Sequence, residues 1–128
     1  MTIVPIYAAL LALLFVLLSV RTIRTRHSRG VALGHGEDPA MLRAMRVHAN
    51  FAEYVPLALL LIYFVEVTSQ PPWLVHLLGA SLLCGRLCHA FGMSRTPENF
   101  RYRVAGMGLT FSVILVSAAH ILITVLIP

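Results

Sequence analysis

The sequence predicts an all-α fold, an integral membrane four-helix bundle that occupies residues 1–128 as one domain. Three observations carry this. The chain is 59% hydrophobic and only 12% charged, and its mean hydropathy of +0.84 lies outside the range of water-soluble domains. Its apolar residues fall into four runs, each near the roughly 20 residues that cross a hydrocarbon core about 30 Å thick. The polar connectors between those runs differ sharply in charge, as connectors on opposite sides of a membrane do.

The first run, Ile3 to Val20, carries no ionisable side chain, and Pro5 stands near its start, where a helix tolerates proline. No basic residue precedes it and Arg21 follows it, so it reads as a retained helix and not as a cleaved leader. RTIRTRHSRGVALGHGEDP then reads as an exposed connector ending at Pro39. A second helix is expected from Pro39–Met41 to Val67, longer than a bilayer requires, with its first turns at headgroup depth. TSQPP breaks the chain at Gln70, Pro71 and Pro72. The third run goes from Trp73, suited to the interfacial aromatic belt, to about Met93. After SRTPENFRYR the fourth goes from Val104 to Ile127.

All ten basic side chains are arginine, and their placement sets an expected topology. The first connector holds four, the third holds three, and the second holds none, which predicts both termini away from the cytosol. In such a chain the positive excess reports orientation and lipid contact, and nucleic-acid binding is excluded as its meaning. Cys84 and Cys88 lie four apart on one helix face, a geometry unsuited to a disulfide.

The polar residues inside the apolar runs gather at one depth. Arg46, Asn50, Glu53 and Tyr54, spaced i, i+4, i+7 and i+8, share a stripe of the second helix. Arg86 and His89 sit near the same end of the third, Arg101 and Arg103 open the fourth, and Arg21, Arg24 and Arg26 close the first. Only Glu66 is expected at the opposite end, alone. Glu53, about 10 Å beyond Arg46 along the axis, is expected to face the bundle, since a charge at that depth costs roughly 2–3 kcal/mol. Arg21, Arg26, Arg29 and Arg95 are expected as a fringe among lipid headgroups. The remaining guanidinium groups outnumber the acids, which calls for an anionic guest. Carboxylates are matched by arginine, and an ammonium by glutamate. Pro56 adds to this by freeing the carbonyl of Ala52 beside Glu53.

At these residues the sequence resembles the membrane-associated proteins in eicosanoid and glutathione metabolism (MAPEG), in particular the short bacterial members. RAMRVHANFAEYVP, GRLCHAFG and FRYRVAGMGLT carry the resemblance, which covers nearly the whole chain. It implies a homotrimer in a bacterial inner membrane, with glutathione as co-substrate bound between neighbouring subunits near the cytosolic face. It implies that Arg24, Arg46, Asn50, Glu53, Tyr54, Arg86 and His89 bind glutathione, and that Arg103 stabilises its thiolate, with Arg101 the alternative for that place. Family synthases often carry a tyrosine four residues after the position of His89, where this chain has Met93; Tyr102 is the other hydroxyl nearby.

The chemistry implied is that of a glutathione transferase or peroxidase. A thiol of pKa about 8.5 becomes a better nucleophile when a cation favours its thiolate, and a shift of about two units corresponds to roughly 2.7 kcal/mol. The second substrate would be a lipophilic electrophile from the bilayer. Other readings are a non-catalytic thiol- or lipid-binding membrane protein, and a small four-helix transporter, although the first helix lacks the acid such exporters use. Haem ligation by His76 and His89 would need two histidines on a facing helix, and His48 and His120 lie near opposite ends. Small residues such as Ser81 and Gly85, or Gly106 and Thr110, fit helix association under any of these readings.

Overall fold

A computed structural model describes residues 2–68 and 71–127. Four helices follow one another: α1 (Val4–Arg29), α2 (Pro39–Val67), α3 (Pro72–Ser94) and α4 (Phe100–Leu126). Each is long and apolar enough to cross a membrane, and no strand occurs among the described residues. Of the expected break after α2, Ser69 and Gln70 lie outside the described residues.

The helix limits follow local chemistry. Pro5 sits in the first turn of α1, where its missing N–H costs nothing. The Asp38 carboxylate accepts from the Met41 amide at 2.8 Å and caps α2, with Pro39 as the first helical residue. Asn99 precedes α4, and its side chain faces the Tyr102 amide at 3.5 Å. Two boundaries differ from expectation: α4 begins at Phe100, four residues before Val104, and α1 continues nine residues past Val20, so Arg21, Arg24, Arg26 and Arg29 stand on a helix and not in an irregular connector. Nothing in RTIRTRHSR breaks a helix. The stop comes at Gly30, whose φ of 64° is the left-handed conformation that glycine adopts freely, with Val31 donating back to the Arg26 carbonyl at 3.1 Å.

The helices pack as an antiparallel succession. α3 and α4 form the broadest contact, α2 touches all three others, and α1 leans on α2 and α3 without reaching α4. A buried seam of Leu11, Val47, Phe51, Ala58, Ile62 and Leu82 runs between α1, α2 and α3. Glycine sets the α3–α4 spacing. A Cβ on Gly106 would lie 2.5 Å from the Gly85 carbonyl oxygen and 2.6 Å from the His89 nitrogen, and one on Gly92 would lie 2.7 Å from the Arg103 nitrogen. Such proximity of backbones is what drives association where lipid removes the hydrophobic incentive.

At the end of the bundle opposite the arginines, Glu66 is not alone. Its carboxylate accepts the amide hydrogens of Ile3 and Val4, the first orphan donors of α1, so the last turn of α2 caps its neighbour. Nearby, the Tyr7 hydroxyl meets His76 Nδ1 at 3.0 Å, and Gly79 leaves room for the tyrosine ring.

Gly106→Leu is expected to destabilise the purified protein by about 1–3 kcal/mol through overpacking, read as a fall in Tm. Gly108→Ala, at a position with nothing within 4 Å, should leave Tm unchanged or raise it. Glu66→Ala should cost about 0.5–2 kcal/mol, the scale of a lost helix cap.

Candidate functional site

The polar residues of the arginine-rich end form two groups at different depths. The deeper one is built on α3. Arg86, 1% exposed, donates from Nη2 to Asn50 Oδ1 of α2 at 2.7 Å and from Nη1 toward Thr110 Oγ1 of α4 at 3.4 Å. Met107 Sδ lies 3.8 Å from the same Nη1, and the Phe51 ring centroid is 5.9 Å from the guanidinium carbon. No carboxylate contacts it among the described residues. His89, one turn further on, is equally buried, and its Nδ1, like Arg86 Nε, has no protein partner there. This cluster exists because Gly85 and Gly106 bring α4 against α3, leaving the long Arg86 side chain only the gap between α2 and α4.

Closer to the helix ends, Arg43 and Arg46 of α2, Arg103 of α4 and Glu98 of the α3–α4 connector line one cavity of about 530 Å³. Leu42, Met93 and Pro97 contribute apolar wall. Arg103 Nη1 stands 3.4 Å from the Glu98 carboxylate, both side chains being about two-fifths exposed. Arg43 donates to the Arg95 carbonyl at 2.7 Å, and Arg46 has no hydrogen-bond or ion-pair partner among the described residues.

The expected site residues therefore divide. Arg46 and Arg103 meet in the cavity; Asn50 and Arg86 are bonded to each other inside the bundle, with His89 beside them. Tyr54 is turned toward α4, its ring 5.4 Å from that of Phe111. Arg24 and Glu53 are exposed and reach neither group within the protomer. Glu53 does not face the bundle: it shares an outward stripe of α2 with Arg46, Leu57, Leu60 and Phe64. Of the two candidates on α4, Arg103 lines the cavity, whereas Arg101 belongs to the connector surface beside Arg95 and Asn99. Met93 also lines the cavity, while Tyr102 packs on Phe91 at 5.3 Å.

The arginines expected among headgroups each have a partner within the protomer, while Arg29 and Arg95 stay exposed. Arg21 donates to the Ser94 hydroxyl and carbonyl at the end of α3. Arg26 donates to the carbonyls of Val31 and Gly34 at 3.1 and 3.0 Å, Arg29 lies 3.6 Å from Asp38, and Arg95 sits 4.3 Å over the Phe91 ring. Sequence reasoning missed Arg43 and Glu98 as cavity residues. The i, i+3 spacing of Arg43 and Arg46 on one helix face was the available signal for the first; the fold of the connector alone brings in the second.

Elsewhere, an apolar groove of about 300 Å³ runs between α1 and α2, walled by Ala12, Phe15, Phe51, Ala52 and Pro56. No group of three or more metal-ligating side chains occurs among the described residues.

A polytopic all-helical membrane protein with a buried, acid-free arginine and an arginine-lined cavity at one end is the class these features define. The chain belongs to the MAPEG family, whose model matches residues 4–123. It is 38% identical over 110 residues to the inner membrane protein YecN of Escherichia coli K12, covering 86% of this chain and 82% of that protein, and equally similar to YecN of Escherichia coli O6:H1.

Asn50→Ala removes the acceptor of a buried guanidinium and is expected to cost about 1.5–3 kcal/mol. Asn50→Ala combined with Arg86→Met should recover most of that loss in a double-mutant cycle followed by thermal unfolding.

Proposed function

We propose that this chain is a glutathione-binding membrane protein of an inner membrane, acting as a transferase or peroxidase on lipophilic electrophiles. The observation that carries this is the cavity where Arg43, Arg46 and Arg103 meet a single glutamate. Three guanidinium groups and one carboxylate complement a molecule with two carboxylates, an ionisable thiol and an ammonium. Its volume of about 530 Å³ falls within the range of small-molecule sites. Family membership supports the choice of glutathione among such molecules.

In this reading Arg46 and Arg43 take carboxylates, and Arg103 stands by the sulfur and favours its thiolate. In conjugation the sulfur forms a bond to the electrophilic carbon as the leaving group departs with its electron pair; the thiol proton passes to water. Asn50, Arg86 and His89 lie behind the cavity and act through the helices that they join. The lipophilic partner comes from the bilayer, and the α1–α2 groove offers it an apolar wall.

We further propose a homotrimer with the arginine-rich end in the cytosol and both termini on the other side. The arginine distribution supports the orientation. Glu53 supports association: a carboxylate on the outside of an isolated protomer at that depth costs about 2.5–3.5 kcal/mol, which a neighbouring subunit would relieve. Arg24 and Tyr54 would then approach the ligand across the subunit boundary. A second reading, binding of an anionic lipid headgroup without catalysis, draws on the half-apolar wall of the same cavity.

Glutathione added to the detergent-purified protein should raise Tm, and Arg46→Ala should reduce the stabilisation by at least about tenfold in affinity, the scale of one charged hydrogen bond. Equal and negligible stabilisation of wild type, Arg46→Ala and Glu53→Gln would exclude the reading. Binding without consumption of 1-chloro-2,4-dinitrobenzene or a lipid hydroperoxide would leave the binding role and remove the enzymatic one.

A further inference from the structure

We propose that the outer face of the α3–α4 connector binds the headgroup of an anionic phospholipid, and that Arg95 and Arg101 take its phosphodiester. The two side chains line a hollow of about 610 Å³, completed by Thr96, Pro97, Asn99 and Phe100. This hollow is distinct from the inner cavity, whose guanidinium groups are those of Arg43, Arg46 and Arg103. The connector is the partition between them, with Pro97 and Glu98 on both walls.

Its cations are ones that the protomer leaves available. Arg21, Arg26 and Arg43 are taken up by protein oxygen atoms and Arg29 by Asp38. Among the described residues, by contrast, the side chains of Arg95 and Arg101 have no hydrogen-bond or ion-pair partner. Arg95 lies flat over the Phe91 ring at 4.3 Å, so its N–H edge stays open to an oxygen ligand. Phe91 meets Tyr102 edge to face at 5.3 Å, which fixes this platform to the first turn of α4. From the inner side Arg43 holds the Arg95 carbonyl at 2.7 Å. The acid on the wall, Glu98, stands 3.4 Å from Arg103.

The surroundings select the kind of anion. Phe91, Phe100 and Tyr102 are 45%, 65% and 45% exposed, and aromatic rings at the ends of apolar spans favour the boundary between headgroups and acyl chains. An ion from solution would engage the arginines and leave those rings in water. A phospholipid engages both, with its phosphate on the guanidinium groups and its glycerol and upper acyl carbons against Phe100. A zwitterionic headgroup also brings an ammonium, for which the hollow has no free acid because Glu98 is paired with Arg103. A headgroup of net negative charge therefore fits best.

The test titrates full-length protein in neutral detergent with phosphatidylglycerol, phosphatidylcholine and inorganic phosphate, reading single-lipid adducts by native mass spectrometry and Tm by thermal shift. Wild type is expected to hold phosphatidylglycerol about tenfold or more tighter than phosphatidylcholine, each arginine near an anionic lipid being worth about fivefold. Inorganic phosphate at the same concentration should leave Tm unchanged. Arg95→Gln combined with Arg101→Gln should bring the two lipids to within about twofold, and Arg46→Ala, in the inner cavity, should keep the wild-type ratio. Both replaced side chains are exposed, so the lipid-free Tm of the double variant should stay near wild type and separate recognition from folding. Equal retention of the two lipids by wild type, or an undiminished preference in the double variant, overturns the proposal. So does a response to inorganic phosphate equal to that of the lipid, which makes the hollow a site for a free anion. Loss of the preference in Arg46→Ala overturns it too, by placing the lipid in the inner cavity. Failure of glutathione to bind leaves the lipid result standing.

Discussion

The closeness of α3 and α4 governs the rest of the structure. A single added methyl at Gly106 would meet the Gly85 carbonyl at 2.5 Å, so the two helices touch through their backbones. That contact directs the Arg86 guanidinium between α2 and α4 to Asn50 and Thr110. One turn beyond His89 the same proximity, at Gly92, sets the start of α4 and with it Arg103 opposite Arg46. Inner cluster and outer cavity are thus two results of one interhelical distance.

The arginines are accommodated mostly by oxygen atoms that bear no formal charge. Arg21 from α1 and Arg43 from α2 both converge on the carboxyl end of α3, where carbonyls have no helical partner and the helix dipole is negative. Arg26 ties down the start of the α1–α2 connector through two more carbonyls. Arg86 uses an amide. Few acids are therefore needed to fold this end of the molecule, and an acid that lines the cavity, Glu98, stands out against that background.

The spans were legible because hydropathy and proline act locally, whereas the Asp38 and Asn99 caps were not anticipated. The overrun of α1 to Arg29 was not foreseen: an Arg- and Thr-containing stretch reads as a connector by composition, yet contains no residue that opposes a helix before Gly30. The i, i+4, i+7 stripe from Arg46 to Glu53 divides in the structure: Arg46 and Glu53 are exposed while Asn50 reaches Arg86 inside the bundle, because periodicity gives the spacing of side chains around a helix but not where its neighbours stand. Pairings across helices, such as Glu66 with the first amides of α1, depend on the register between elements far apart in the chain. The family was legible from RAMRVHANFAEYVP and its companion motifs, where residue identity and spacing coincide.

The manner in which α1 is attached has a mechanical consequence. Glu66 grips its first turn, Arg21 fastens its other half to Ser94, and Val4, Leu11 and Leu18 alone are fully enclosed along its length. Its middle is held to α2 as well, by Leu11 and by the Phe15 ring stacked on His48 and Phe51, so the slot between Ala12 and Pro56 is framed by a helix secured along its inner face.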